Sequence, residues 1–103
     1  MPDVPGHPPA NILSVAEELE LTSRRFKLLL AQNVTRARRK AGLTQLQLAR
    51  AAELSRATVH LIEAGICDPR LSTITRLADA LQLDALELLN QKAKSSQRNA
   101  PAV

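Results

Sequence analysis

Three stretches of the chain repeat one arrangement: Leu43-Thr44-Gln45-Leu46-Gln47-Leu48, Leu54-Ser55-Arg56-Ala57-Thr58-Val59 and Leu83-Asp84-Ala85-Leu86-Glu87-Leu88. In each, a hydrophobe precedes a small oxygen-bearing residue, and a second hydrophobe follows four positions after it. The side-chain oxygen accepts N–H groups that a new helix turn cannot pair internally, and the two hydrophobes close over the start as a staple. Gln47 and Glu87, three positions after Thr44 and Asp84, complete capping boxes. Each stretch therefore reads as a helix start. Three such starts between residues 44 and 84 leave room only for short helices and tight turns. Between the second and third, Pro69 ends a loop and Ser72 reads as the cap of a helix with the apolar face Ile74, Leu77, Ala78 and Leu81.

Upstream, Phe26, Leu30, Val34, Ala37 and Ala41 recur at helical spacing, which predicts a longer helix from about Ser23 to Ala41, ended by Gly42. Ser14 with Glu17 reads as a further capping box, opening a short acidic helix. Pro2, Pro5, Gly6, Pro8 and Pro9 read as a leader. No strand-like alternation occurs. The expected organisation is a leader over 1–22 that includes the short acidic helix, an all-α domain of five helices over 23–90, and a basic tail over 91–103. Its core must be aliphatic, since Phe26 is the single aromatic residue of 103. A bundle of roughly 65 residues has little surface to bury, so each core position counts.

Several classes are excluded at this point. The longest apolar run, Leu28 to Ala31, is too short to span a bilayer. No basic segment followed by a long apolar one marks a secretory signal. The lone Cys67 precludes an intramolecular disulfide or a multi-thiolate metal cage, and neither a metal nor another cofactor is expected. Ser and Thr occur as caps, and no nucleophile–base arrangement suggests an enzyme. The expectation is a soluble cytoplasmic protein without a membrane partner.

Charge points to a partner. The net charge is +4, yet residues 24–56 alone carry +8, with acidic residues dominating on either side of that stretch. A concentrated positive stretch suits an anionic partner, above all nucleic acid. Within it lie two short helices, about 45–52 and 56–64, joined by the three residues Glu53-Leu54-Ser55. So short a link forces a steep crossing, the helix-turn-helix geometry. An α-helix about 10–12 Å across fits the roughly 12 Å major groove of B-form DNA.

Thr44-Gln45, Leu48-Ala49, Leu54-Ser55-Arg56-Ala57-Thr58-Val59, Ile62-Glu63-Ala64-Gly65, Asp68-Pro69 and Leu77-Ala78-Asp79-Ala80-Leu81 together resemble the phage Cro- and repressor-type helix-turn-helix family, also called the XRE family. The resemblance covers about residues 30–90. It implies a five-helix repressor-like bundle, here with an N-terminal extension, that binds double-stranded DNA. It further implies that Ser55, Arg56 and Ala57 meet base edges, as does His60 or Leu61 one turn on. Arg56 is the strongest candidate, because its forked guanidinium can bond guanine N7 and O6 together. Leu61 departs from the polar or basic residue frequent in that family. Gln45 falls where relatives contact a phosphate, beside the cap Thr44. The same resemblance pairs Arg38 with Glu63 in an ion pair. Glu53 and Gln82 stand where relatives commonly carry Gly.

Some readings stay open. Arg36, Arg39 and Lys40 form either a phosphate clamp or the cationic end of a helix favoured by its dipole. Arg50 is either a phosphate neighbour or a solvated side chain. In the last helix the staple turns Leu88 inward and leaves Leu86 elsewhere, with Leu89 at the border. Relatives commonly pair through this helix, so Leu86 and Leu89 form the expected homodimer interface, with Val15, Leu19 and Leu21 an alternative or addition. The functional expectation is a sequence-specific transcriptional regulator on a near-palindromic operator. The alternative is an antitoxin that autoregulates through the same domain and holds a toxin with its termini.

Overall fold

A computed structural model describes residues 8–91, with side chains from Ser14 onward. The helices are α1 (Pro8–Lys40), α2 (Gln45–Ala52), α3 (Arg56–Glu63), α4 (Leu71–Leu81) and α5 (Ala85–Leu88). No strand occurs among the described residues. None of these helices is long and apolar enough to cross a membrane. The first seven residues of the expected leader and residues 92–103 of the expected basic tail lie outside the described residues.

The two helices expected over 14–22 and 23–41 are one. α1 runs 33 residues without interruption, and Ser14 and Glu17 lie inside it rather than at a start. Nothing between Ala10 and Ala41 breaks a helix, because that span holds neither Gly nor Pro. Pro8 and Pro9 sit in the first turn, where a missing N–H costs nothing. Arg38, Arg39 and Lys40 in the last turn suit the negative end of the helix dipole. Gly42 (φ 75°) turns the chain left-handed, and the N–H of Leu43 returns to the Arg38 carbonyl at 3.1 Å.

The core draws on every helix: Leu30 and Val34 from α1, Leu48, Ala49 and Ala52 from α2, Val59 and Ile62 from α3, Ile74, Leu77 and Ala78 from α4, and Leu88 from α5. The staple hydrophobes Leu43, Leu54 and Leu83 pack against its edge. The stripe predicted for α1 is only half right. Leu30 and Val34 are buried and Ala37 is half-buried, whereas Phe26 and Ala41 are exposed. Phe26 precedes the part of α1 that the other helices cover, and Ala41 lies past its end. Ala31 and Asn33 are buried instead. Gly65 explains the first of these: a Cβ there would meet Leu28 Cδ2 at 3.0 Å, so the end of α3 lies close against α1.

Asn33 is the one buried polar residue among those described. Its amide donates to the carbonyls of Leu88 at 2.7 Å and Asn90 at 3.1 Å. These bonds tie the short α5 to α1 by giving carbonyls at and just past its end a donor from another helix.

The predicted caps Thr44, Ser55 and Asp84 all hold their helices. Ser72 does not. α4 opens two residues earlier, with extended Arg70 at the cap position and no side-chain bond to the helix start. The Arg70 carbonyl accepts from Thr73 and Ile74, and the Ser72 carbonyl is taken by the Thr75 hydroxyl. Pro69 directs the chain straight into the helix, so a side-chain cap is dispensable.

Glu53 (φ 60°) and Gln82 (φ 61°) adopt the left-handed conformation that ends α2 and α4. Glu53→Gly and Gln82→Gly should each raise stability by about 0.5–1 kcal/mol, because glycine removes a left-handed strain of about 1–2 kcal/mol at some cost in unfolded-chain entropy. Thermal unfolding would show this as a higher Tm. Asn33→Ala should cost about 1–3 kcal/mol by leaving two carbonyls without their donor. A loss below the lower figure in denaturant titration would mean that water replaces the amide.

Candidate nucleic-acid interface

Local chemistry sets the relation between α2 and α3. At the start of α2, Thr44 Oγ1 accepts from the Gln47 N–H at 3.0 Å, and Gln47 Oε1 accepts from the Thr44 N–H at 2.8 Å. The left-handed Glu53 lets the Leu54 N–H return to the Ala49 carbonyl at 2.8 Å and turns the chain sharply. Arg76 of α4 donates to the Glu53 carbonyl at 3.2 Å. Ser55 then opens α3, its Oγ accepting from the Thr58 N–H at 3.0 Å and sharing a hydrogen bond with the Thr58 hydroxyl at 2.8 Å.

α3 has two sides. Val59 and Ile62 are 0% and 2% exposed and anchor it in the core. Ser55, Arg56, Ala57, His60 and Leu61 are exposed, so the first turn and the next project a continuous surface away from the bundle. None of the five is packed inward.

A bonded knot braces this helix from behind. Arg38 Nε donates to Glu63 Oε2 at 2.7 Å, and Nη2 donates to Oε1 at 3.0 Å. Arg38 Nη1 donates to the Leu43 carbonyl at 2.8 Å. The two side chains are 13% and 6% exposed, which makes this a buried, two-pronged pair. Gln45 joins it, its Nε2 donating to Glu63 Oε1 at 3.0 Å. Burial alone would raise the Glu63 carboxyl. The hydrogen bonds from Arg38, Gln45 and Thr35 and the Arg38 charge outweigh it and hold the group below its ordinary range. Arg38 moves up, chiefly through its hydrogen bond to Glu63.

Gln45, expected at a phosphate, thus bonds inward in the free protein. Its link to Glu63, eighteen residues away, has no local signal in the sequence. The basic cluster divides. Arg39 lines a depression of about 260 Å³ together with Gln45, His60 and Glu63. Lys40 lies toward α5, in a depression shared with Leu83 and Glu87, and Arg36 borders both sides of α1. Arg36 also reaches the Asn33 side-chain oxygen at 3.5 Å. Thr44 and Arg50 are exposed, as is Leu86, whereas Leu89 is half-buried. The Cys67 thiol is pushed up by burial and by Asp68, which disfavours the reactive thiolate.

Arg38→Ala should cost about 3–5 kcal/mol, since it strands a buried carboxylate. A loss under about 1 kcal/mol in denaturant titration would contradict the buried pair. Because the folded pKa of Glu63 lies below the unfolded one, its contribution is complete above the usual carboxylate range and disappears as pH falls through the folded value. Glu63→Gln should therefore flatten that part of the acid-unfolding curve while lowering stability at neutral pH.

Comparison with known proteins agrees with this geometry. A family model described as a helix-turn-helix domain matches residues 29–90. The fold is similar to a hypothetical transcription factor, NHTF, from Neisseria, at 30% identity and a TM-score of 0.66, over 71% of this chain and 84% of that one. It is also similar to the restriction-modification controller protein C.AhdI from Aeromonas hydrophila, at 32% identity and a TM-score of 0.59, over 60% of this chain and 94% of that one. An HTH_3 family transcriptional regulator from Vibrio cholerae aligns at 26% identity and a TM-score of 0.62, over 78% of this chain but 46% of that longer one. No curated sequence relative matches. With α2 and α3 at a left-handed turn, α3 presenting its first turn outward and the family model spanning the bundle, the chain belongs to the XRE-type helix-turn-helix family of DNA-binding regulators.

Proposed function

We propose that the chain is a sequence-specific transcriptional regulator that occupies a near-palindromic operator as a dimer. The observation that carries this reading is the outward face of α3: Arg56 and His60 are exposed on a helix whose other side is locked into the core. In this reading Ser55, Arg56 and Ala57 enter the major groove, with His60 and Leu61 following one turn later. Arg56 reads a guanine, and the Ala57 methyl group meets a thymine methyl. The start of α2, with Thr44 and Gln45, meets the backbone beside them, where unpaired N–H groups favour phosphate. Arg39 adds positive charge next to His60, and Arg36, Lys40 and Arg50 supply the wider field that attracts DNA.

A dimer would set two recognition helices about 34–36 Å apart, one DNA turn, and so demand an operator of matching symmetry. Two apolar surfaces face a second copy in this reading: exposed Leu86 of α5 with half-buried Leu89 just past its end, and the exposed residues of α1 that include Val15, Leu19 and Leu21. The antitoxin alternative keeps the same DNA-binding domain and gives the termini, the exposed start of α1 among them, to a toxin.

Selection from a random duplex library would yield the operator. On that site Arg56→Ala should weaken binding by about 1–3 kcal/mol and relax one base position per half-site. Gln45→Ala should weaken binding to all sequences more evenly. If both variants bind selected and random duplexes as the parent does, α3 is not the reading element.

A further inference from the structure

We propose that the half of α1 that leaves the bundle pairs antiparallel with the same segment of a second copy, Glu18 of each chain meeting Arg25 of the other. The proposal rests on the dimeric reading above and names its contact.

Residues 14–26 of α1 are exposed around the whole helix, so no other part of the described chain covers them. Three of their four large apolar side chains nonetheless fall on one line. Val15, Leu19 and Phe26, with Thr22 between the last two and half-buried Leu29 beyond, follow one another at steps of four, three, four and three, whereas Leu21 lies off this line. That alternation is the seam of a two-stranded coil, which keeps facing a partner where a 3.6-residue pattern would drift away. Val15, Leu19 and Phe26 are 50%, 64% and 52% exposed, a costly display for a helix without a partner. The seam is continuous with the bundle: Phe26 and Leu29 share a groove of about 560 Å³ with Leu89, the residue that ends α5.

Charge selects both the occupant and its direction. Glu17, Glu18 and Glu20 precede the middle of the seam, and Arg24, Arg25 and Lys27 follow it. A second copy laid parallel would set acid against acid and base against base. Laid antiparallel, it sets each acidic half against a basic one. The seam then fixes the register. Leu19 meets Thr22 of the second copy and Val15 meets its Phe26, each twice by the two-fold axis. On one flank this brings Glu18 beside Arg25 of the other chain. On the other flank Ala16 and Ser23 face their counterparts, small enough for the helices to approach closely.

The test uses the full chain without any duplex present: analytical ultracentrifugation across a concentration series. The parent should dimerise. Glu18→Arg and Arg25→Glu should each weaken association about tenfold or more, because two attractive contacts become two repulsive ones. Mixing the two single variants should restore a heterodimer, and the double variant Glu18→Arg/Arg25→Glu should recover the parent affinity. Circular dichroism checks that α1 stays helical in each. A parent that is monomeric at its highest soluble concentration overturns the proposal, as does a mixture of single variants that fails to associate. Leu86→Glu separates the two surfaces: a dimer that survives it supports α1. A dimer lost on Leu86→Glu but indifferent to both charge reversals keeps the dimeric reading and removes this contact.

Discussion

Glu63 carries a carboxylate where only 6% of its side chain meets solvent, and an ion so placed is tolerated only when its charge and lone pairs are answered. Arg38 of α1 answers with two hydrogen bonds and Gln45 of α2 with a third. The desolvated group thereby fixes three helices relative to one another at a single point. Arg38 further holds the Leu43 carbonyl, so the turn between α1 and α2 is part of the same knot. Buried ion pairs are seldom the strongest source of stability, since well-packed hydrophobes of similar volume do as well or better. What this one adds is direction. It sits at the last residue of α3 and sets the angle at which that helix leaves the bundle.

The opposite end of α3 is set by backbone geometry. Glu53 accepts left-handed strain so that the chain can reverse within three residues, and Ser55 then starts the helix with its own oxygen. Between these fixed ends, Val59 and Ile62 are the contacts that hold the middle. An eight-residue helix has little stability of its own, because nucleation is unfavourable and few turns follow it. Its outward residues are therefore as rigid as the core beneath them, which is the condition a base-reading surface needs. The rotamer freedom left to Arg56 and His60 is that of exposed side chains on a fixed helix.

Local devices were legible in the sequence and distant ones were not. A capping box needs only residues three apart, so Thr44 with Gln47 and Asp84 with Glu87 could be read directly. Val59 of α3 followed from the same short-range logic, as the staple partner of Leu54, and so did the end of α1 at Gly42. Ser72 misled because a good cap residue stood within the first turn of a helix that had already opened at Arg70, directly after Pro69. The continuity of α1 was obscured for a different reason. Its apolar spacing changes where the bundle ends, from core contacts after Leu29 to the exposed residues before it, and the change looked like a boundary between two helices. The bonds of Asn33 to Leu88 and of Gln45 to Glu63 were not legible because the partners lie 55 and 18 residues away. The resemblance to relatives supplied the pairing of Arg38 with Glu63, which periodicity alone could not.

α1 also explains why its basic residues do not act as one patch. Asn33 and Arg38 are five residues apart, which places them about 140° apart around the helix. Asn33 holds the end of α5, and Arg38 holds the end of α3. The helix is therefore clasped on two sides, and the exposed strip between them cannot turn as a unit toward either neighbour. Arg39 follows the α3 side, Lys40 the α5 side, and Arg36 lies across the edge they share. Since α5 has only four residues, its place depends on this clasp and on the capping box of Asp84. Loosening Asn33 would thus weaken the hold on α5 and spare α3, whereas loosening Arg38 would do the reverse. Each helix would then rest on its core contacts, Leu88 in one and Val59 with Ile62 in the other. One helix serves both because its two anchors face different ways.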